Sequence, residues 1–328
     1  MILGANGAGK TSLLEAVYVV ATTRSFRTSQ LLDCRRHGTT EFFLEAEVES
    51  DQRSRLAVGL ADTGRNRFVN GAGSSLAEHL RVLPVVTWTA AEGALLNGPP
   101  EGRRRFIDQG IVSSRPASLE VLARYRRALV QKRQLLARGE SGLDPWNQIL
   151  AQEASALMVL RRDYLARLTE ALDGVVREVD LDLPSIELSY RPSIECDHDD
   201  RDMVWQELDA VRSQEQIESR PLLGPHRDEV EIRWGNHLIK RVGSAGERKI
   251  LGLLISVARG RVLSTVGRSP LYLLDDADSE LDKSRLEAIW ALFRQSDQVF
   301  VSSSRAAVWE MDMDAKRWHL KAGFLKPG

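Results

Sequence analysis

The sequence predicts an α/β fold interrupted by a long helical insertion, and three observations carry that prediction. A glycine-rich loop, Gly4-Ala5-Asn6-Gly7-Ala8-Gly9-Lys10-Thr11, opens a helix near the start of the chain. An apolar run closed by two carboxylates, Leu271-Tyr272-Leu273-Leu274-Asp275-Asp276, has the make-up of a buried strand. Between them the apolar residues change from a two-residue period to helical spacing over residues 118–175. A chain of 328 residues has room for two domains of roughly 100–200 residues each. Its 43% hydrophobic and 28% charged residues are those of a folded globular protein, which excludes a disordered or fibrous chain.

Taken in order, Met1, Ile2 and Leu3 form a short strand, and the helix after the loop carries Leu13, Leu14, Val17 and Val20. A typical strand has about 5–6 residues, so the sheet reads as missing a piece, with the start either internal to a longer reading frame or that of a truncated copy. Phe42, Leu44, Ala46 and Val48 alternate with Glu41, Phe43, Glu45 and Glu47, and Leu56, Val58 and Leu60 alternate after a polar turn, which predicts an antiparallel hairpin. Leu122, Tyr125, Leu129 and Leu136 lie on one helical face, Gly139, Gly142 and Pro145 break it, and Leu157, Tyr164, Leu168, Ala171 and Val175 repeat the pattern. Two long helices around a short breaker-rich loop predict an antiparallel helical arm. Pro184, Pro192 and an acidic tract return the chain to strand-like segments at Val230–Trp234 and Leu271–Leu274, with a helix from about Arg248 to Val262 between them. The expected organisation is an α/β part over 1–110, a helical arm over 111–219 and the resumed α/β part over 220–328.

The longest largely apolar stretch, Ile250–Ala258, falls far short of the roughly 20 residues that cross a bilayer. The start of the chain has no basic, cleavable apolar segment, so the expected location is the cytoplasm, away from membranes. Cys34 and Cys196 match no zinc spacing and read as reduced thiols. Lysine and arginine number 45 against 46 acidic residues, so any polyanion site must be a local patch. Ten basic residues between Arg103 and Arg138 face only Asp108 and Glu120, whereas nine acids between Glu195 and Glu218 face only Arg201 and Arg212. Each run reads either as a solvated helix face or as a contact surface.

The loop Gly4 to Thr11 fits G-x-x-x-x-G-K-[ST] without a mismatch. Gly4, Asn6, Gly7, Ala8 and Gly9 supply backbone that can aim amide N–H groups inward, and the helix that follows adds the positive end of its dipole, so the loop is expected to wrap a di- or triphosphate. Lys10 would reach the β- and γ-phosphates and the Thr11 hydroxyl would ligate Mg²⁺. Asp275 would hold the same Mg²⁺, and Asp276 would polarise an attacking water. Ser244-Ala245-Gly246-Glu247 precedes a helix and reads as an N-cap or as a second anion site, the latter pointing to contact from another subunit.

The order of phosphate loop, helical insertion, Ser-x-Gly, apolar-Asp-Asp and Ser279-Glu280-Leu281-Asp282 resembles that of ABC-type ATPases of the SMC-like branch. Arg24-Ser25-Phe26-Arg27-Thr28, Val69-Asn70-Gly71, Asn97-Gly98-Pro99, Arg103-Arg104-Arg105-Phe106-Ile107-Asp108 and Gly224-Pro225-His226-Arg227-Asp228 are similar to the RecF family specifically, across nearly the whole chain. The resemblance implies a P-loop ABC-type ATPase head with an inserted antiparallel α-helical arm. It implies a slow, dimerisation-dependent ATPase using ATP and Mg²⁺. Such a protein binds DNA at gaps or single/double-strand junctions, helps load recombinase in repair, replication restart and the SOS response, and works with RecO and RecR. By the same resemblance Lys10 and Thr11 contact nucleotide, Asp275 holds the metal, Asp276 is the catalytic carboxylate, and Ser244 and Gly246 bind the γ-phosphate held by the other copy of a homodimer. Ser279 to Asp282 would line the seam, and Glu92 would couple nucleotide to DNA, although Thr89-Ala90-Ala91-Glu92 lacks the family's usual proline. Glu247 stands where the family has glutamine; at ~8 Å and an effective dielectric of ~20 it would repel each phosphate charge by about 2 kcal/mol, which Arg248 and Lys249 could offset. The family's first strands and base contacts lie upstream of the loop. The alternative is a truncated, non-hydrolysing DNA- or protein-binding scaffold of the same fold; a transporter subunit or a small kinase does not need so large an arm.

Overall fold

The computed structural model describes every residue except 51, 63, 91, 94–97, 196–199, 240–242, 295, 297, 310–314 and 322. Ala91, Asn97 and Cys196, each part of a sequence reading above, lie outside the described residues. Along the chain come β1 (Ile2–Leu3), α1 (Lys10–Thr22), β2 (Phe42–Val48), β3 (Ser54–Ala61), β4 (Gly64–Val69), β5 (Ala72–Gly73), α2 (Leu76–Val82) and β6 (Val85–Trp88). Next are α3 (Pro100–Ser114), α4 (Leu119–Arg138), α5 (Asp144–Glu178), β7 (Ile186–Arg191), α6 (Arg201–Ala210), α7 (Arg212–Glu218), β8 (Glu229–Trp234) and β9 (His237–Leu238). Last are α8 (Ala245–Ser264), β10 (Leu271–Asp275), α9 (Lys283–Ala291), β11 (Gln298–Ser303), β12 (Trp318–Lys321) and β13 (Phe324–Pro327). Contacts group the chain into two units, Met1–Leu96 with Ala171–Leu183 and Gly243–Gly328, and Asn97–Glu170 with Pro184–Val242. The expected arm edges at 110/111 and 219/220 fall inside α3 and at the end of α7.

In the first unit a six-stranded sheet has the order β13-β12-β1-β11-β10-β6, parallel throughout except for β12 against β13. The two residues of β1 are paired on both sides, Ile2 with Ser302 and Trp318, and Leu3 with Ser303 and His319. A strand this short is held because both neighbours supply ladder partners. Helix α1 is apolar around most of its circumference and buries two faces. Leu14 and Ala21 pack with Ile2, Val85, Leu271, Leu273 and Leu320 of the parallel sheet. Val19 and Val20 meet Val48, Leu56, Val58 and Leu60 of the antiparallel sheet β2-β3-β4-β5. The expected hairpin is β2–β3, with Leu44 opposite Val58 and Ala46 opposite Leu56.

The apolar run Ile250–Ala258 is the buried heart of α8. Its interrupting glycine is required by packing: a Cβ on Gly252 would lie 1.8 Å from the Trp88 ring of β6. Gly260 repeats the device about two turns further along the helix, where a Cβ would lie 1.5 Å from the Tyr272 hydroxyl of β10. The helix is thus seated on the sheet by two aromatic rings set in two glycine gaps.

In the second unit α4 ends at Gly139, whose φ of 65° lets its amide and that of Glu140 turn back to Leu136 and Leu135. The chain reverses into α5, and Arg124 meets Glu153 across the hairpin at 2.7 Å. Leu122, Tyr125, Leu129, Leu150, Ala154 and Leu157 form the core with Val204 and Leu208 of α6. Beside it β7, β8 and β9 make a three-stranded antiparallel sheet. Three of the ten basic residues between Arg103 and Arg138 are not on a surface. Arg103 is held by Glu229 at 2.7 Å, Arg104 donates to the Asp228 carbonyl at 2.6 Å, and Lys132 pairs with Glu215 at 2.6 Å with neither side chain exposed. The run is partly an internal set of ties, which a charge count along the chain could not distinguish from a patch.

Candidate functional site

The phosphate loop leaves β1 and curls under the start of α1. Gly7 and Gly9 have φ of 78° and 102°, left-handed values that a side chain would strain. Gly4 lies against β12, where a Cβ would sit 2.5 Å from the Leu320 carbonyl. Asn6 is exposed and Ala8 half-buried. Lys10 is 6% exposed, and its ammonium donates to the Gly4 carbonyl at 2.9 Å and the Ala5 carbonyl at 3.1 Å, so the cation already sits inside the curl of its own loop.

The Thr11 hydroxyl donates to Asp275 at 2.9 Å (Oδ2) and 3.1 Å (Oδ1), joining the start of α1 to the end of β10. Ser302 of β11 completes the corner. Its hydroxyl donates to Asp275 Oδ1 at 2.5 Å and accepts from the Asp276 amide at 3.1 Å. Asp276 has φ of 47°, a left-handed conformation that costs a non-glycine residue about 1 kcal/mol or more. Burial and the Asp275 carboxylate beside it push the Asp276 carboxyl above its ordinary range, with the Lys10 ammonium pulling the other way.

After Asp276 the chain makes a tight turn. Asp278 is 1% exposed and accepts from the Ser303 hydroxyl at 2.8 Å, and Arg305 donates to its carbonyl at 2.8 Å. Lys249 of α8 is 8% exposed and reaches this turn, donating to the Asp276 carbonyl at 2.7 Å and to the Ser279 hydroxyl. Burial lowers the pKa of that ammonium, against the pull of Glu280, Asp278, Asp276 and Asp275.

Ser244 is the N-cap of α8, which starts three residues before its expected position. The Ser244 hydroxyl accepts from the Glu247 amide at 3.2 Å, and the Glu247 carboxylate accepts from the Ser244 amide at 2.5 Å, closing a capping box. Glu247 therefore has a local partner, and hydrogen bonding to Ser244 holds its carboxyl below the usual range. The expected offset by Lys249 is not what its ammonium does, since that group is spent on the turn after β10. Gly246 is explained by close approach, because a Cβ there would be 3.1 Å from the Glu280 carbonyl. Among the described residues no hydrogen bond joins Ser244 or Gly246 to the phosphate loop of the same chain. The structure brings together Lys10, Thr11, Asp275 and Asp276, and sets Ser244 and Gly246 at a second position.

Several residues that shape this region carried no sequence signal. Ser302 and Ser303 read as an ordinary strand end, and only their pairing with β1 and β10 places them beside the carboxylates. Glu15, 7% exposed on α1, accepts from the Ser25 hydroxyl, from Arg27 at 3.2 Å and from the Cys34 thiol at 3.7 Å, which ties down Arg24–Thr28. Burial and Glu15 raise the pKa of that thiol. Glu92, which the family resemblance does single out, accepts from Thr87 at 2.7 Å and from Arg259 at 3.2 Å in a pocket whose burial raises its pKa. Among the described residues no group of three or more His, Cys, Asp or Glu is arranged to hold a metal, and no helix is long and apolar enough to cross a membrane.

The family model described as "RecF/RecN/SMC N terminal domain" matches residues 1–317. A DNA replication and repair protein RecF from Geotalea daltonii is 32% identical over 310 residues, covering 92% of this chain and 85% of the relative. Its counterpart from Streptomyces avermitilis is 31% identical over 321 residues, covering 92% and 86%. The solved structure of the recombination mediator protein RecF-ATP in the RecFOR pathway superposes with a TM-score of 0.88 at 22% identity, covering 99% of this chain and 90% of that one. An Smc head bound to the C-winged helix domain of ScpA gives 0.55 at 16% identity. The fold is that of an ABC-type ATPase head, and the chain, aligned with these relatives over more than nine-tenths of its length, belongs to the RecF family of DNA replication and repair proteins.

Proposed function

We propose that this chain is an ATP-dependent DNA-binding protein of recombinational repair and replication restart, which dimerises on ATP, holds DNA at gaps and helps load recombinase. The observation that carries the nucleotide reading is the contact of the Thr11 hydroxyl with the Asp275 carboxylate, two residues 264 positions apart meeting at the end of the phosphate loop. A hydroxyl and a carboxylate with few other protein ligands suit Mg²⁺, which keeps several waters and takes hard oxygens from the phosphates it accompanies. Thr11 and Asp275 would hold the metal, and the loop from Gly4 to Gly9 with Lys10 would hold the phosphates. Bound Mg²⁺-ATP supplies the phosphoanhydride and the charge that neutralises it.

The chain's own residues do the rest. Lys10 exchanges its two loop carbonyls for phosphate oxygens, a charge-assisted contact worth about 1.5–3 kcal/mol. Asp276, kept a better proton acceptor by burial and by Asp275, orients a water and takes up its proton. Ser244 and Gly246 form the half-site that meets the nucleotide held by the other copy, so ATP lies in the seam of a homodimer. Exposed arginines of the second unit supply sequence-independent phosphate contacts, which makes DNA binding salt-sensitive. RecO and RecR are the partners that family membership supports.

Nucleotide titration and sedimentation test the reading. Lys10→Ala is expected to weaken ATP binding tenfold or more. Ser244→Arg is expected to leave monomeric ATP binding intact while ATP-dependent dimerisation, turnover and DNA binding fall together. An ATP-induced dimer of unchanged strength in Ser244→Arg would remove the shared site, and parental ATP binding by Lys10→Ala would remove the nucleotide site itself.

A further inference from the structure

We propose that Lys249 is a positioning residue for Asp276, strapping the turn Asp276–Glu280 to the first two turns of α8 so that the aim of the Asp276 carboxylate is set by where that helix begins. The inference rests on the reading of Asp276 as the hydrolytic carboxylate and adds a residue that neither the phosphate-loop pattern nor the Asp-Asp pair points to.

Asp276 occupies a left-handed backbone conformation with φ of 47°, which a non-glycine residue keeps only if its surroundings hold it there. Both sides of the residue are held by side chains. The Ser302 hydroxyl takes its amide at 3.1 Å. Its carbonyl accepts from the Lys249 ammonium at 2.7 Å, from the Ser279 hydroxyl at 3.0 Å and from the Ser279 amide at 3.2 Å. Lys249 also donates to the Ser279 hydroxyl, so one buried cation closes the turn on itself and ties it to α8.

The strap has a second strand. Gly246, three residues before Lys249, lets the Glu280 carbonyl approach so closely that a Cβ would sit 3.1 Å from it. One end of the turn is thus hydrogen-bonded to α8 and the other packed against it, both within five residues of Ser244, the N-cap of α8. A change at the start of α8 cannot leave Asp276 where it was unless Lys249 lets go. The device couples the half-site at Ser244 to the carboxylate of the same chain without any contact between the two.

The test uses Lys249→Met, which keeps the stem and removes the charge, and Lys249→Arg, which restores a cation. In nucleotide-free protein, hydrogen exchange of the Ser279 amide should quicken at least tenfold in Lys249→Met. With ATP, its affinity should stay within threefold of the parent while single-turnover hydrolysis drops tenfold or more, and Lys249→Arg should recover part of both losses. Exchange at the parental rate, or parental single-turnover hydrolysis in Lys249→Met beside an inactive Asp276→Asn, overturns the proposal. Should Asp276→Asn hydrolyse as the parent does, the reading of Asp276 fails instead, and exchange alone decides the strap: quickened exchange sustains it and unchanged exchange ends it. If Lys249→Met does not fold by thermal melt, Ser279→Ala removes one of the ammonium's acceptors without burying a charge and carries the same two readouts.

Discussion

Two buried ionic clusters in this protein are built to opposite rules. In the second unit Arg161, whose side chain is 4% exposed, donates to Asp108 at 2.9 and 3.2 Å, to Asp228 at 2.9 Å and to the Pro225 carbonyl at 2.6 Å. Asp228 also accepts from the Tyr190 hydroxyl and the Ser193 amide, so the cluster is closed and its polar atoms are spent. Burial alone would lower the pKa of Arg161, but Asp108, Tyr190 and Asp228 more than offset it and the cation is held charged. At the end of β10, by contrast, Asp275 and Asp276 are adjacent acids with hydroxyls and a loop-bound ammonium around them, and the second is pushed toward its protonated form. A closed cluster builds a fold. A crowded one leaves a carboxylate raised in pKa beside its neighbour, the kind of perturbed pair that fits the functional role proposed for it.

The largest effect should come from breaking the closed cluster. Arg161→Met leaves Asp108 and Asp228 buried without their cation and is expected to cost about 3–5 kcal/mol, read as a lowered unfolding midpoint in urea. A midpoint within experimental error of the parent would erase the contrast between the clusters.

His226 sharpens the same side. Burial pulls its pKa down to about 3 while Tyr125 is hydrogen-bonded to its ring at 2.8 Å. A folded pKa below the unfolded value of about 6.5 means the unfolded chain binds the proton first. Stability from this group is therefore complete above about pH 6.5 and is lost as the pH falls toward 3, by a few kcal/mol in all. His226→Gln should flatten that part of a stability–pH curve, and an unchanged slope between pH 6.5 and 4 would contradict the assignment.

For the crowded cluster the sign reverses. The folded pKa of Asp276 is raised, so its contribution is present below its unfolded pKa and is lost as the pH rises through the folded one. Asp276→Asn should thus leave the protein at least as stable as the parent at neutral pH, while ATP turnover falls and ATP binding persists. A marked loss of stability at pH 7 would show that the acid pair is a structural tie after all. The smallest change is Glu247→Gln, which keeps an acceptor for the Ser244 amide and should shift the melt by less than about 0.5 kcal/mol. Ser244→Ala, which opens the capping box, should cost about 0.5–2 kcal/mol on the same instrument.

The two clusters were not equally legible in the sequence. Lys10 and Thr11, and separately Asp275 and Asp276, stand out because the phosphate chemistry proposed for them calls for particular residue types at short spacings within each motif. The hairpin β2–β3 and the paired helices were also readable, since their periods follow from which face is buried. Arg161 was silent: its partners lie 53 and 67 positions away, and a single arginine in a helix looks like any solvated one. The segments Arg103–Asp108 and Gly224–Asp228, quoted for family resemblance, supply Asp108 and Asp228 to that cluster. In the sequence Lys249 offers no more than an offset, shared with Arg248, to the repulsion between Glu247 and phosphate, because nothing in Glu247-Arg248-Lys249 tells which of two cations turns inward.

The sheet order has a consequence for the order in which the molecule is made. β1 takes its ladder partners from β11 and β12, residues 298–303 and 318–321, so this strand finds its neighbours only after the whole helical arm has been made. Until those strands are synthesised, the glycine loop has no frame, and α1, with apolar residues on two faces, has only the antiparallel sheet to cover one of them. Closing so long a stretch of chain before its contacts form is slow. A nascent chain of this protein therefore carries its phosphate-loop sequence long before it acquires the pocket, which waits for β11 and β12 to be made.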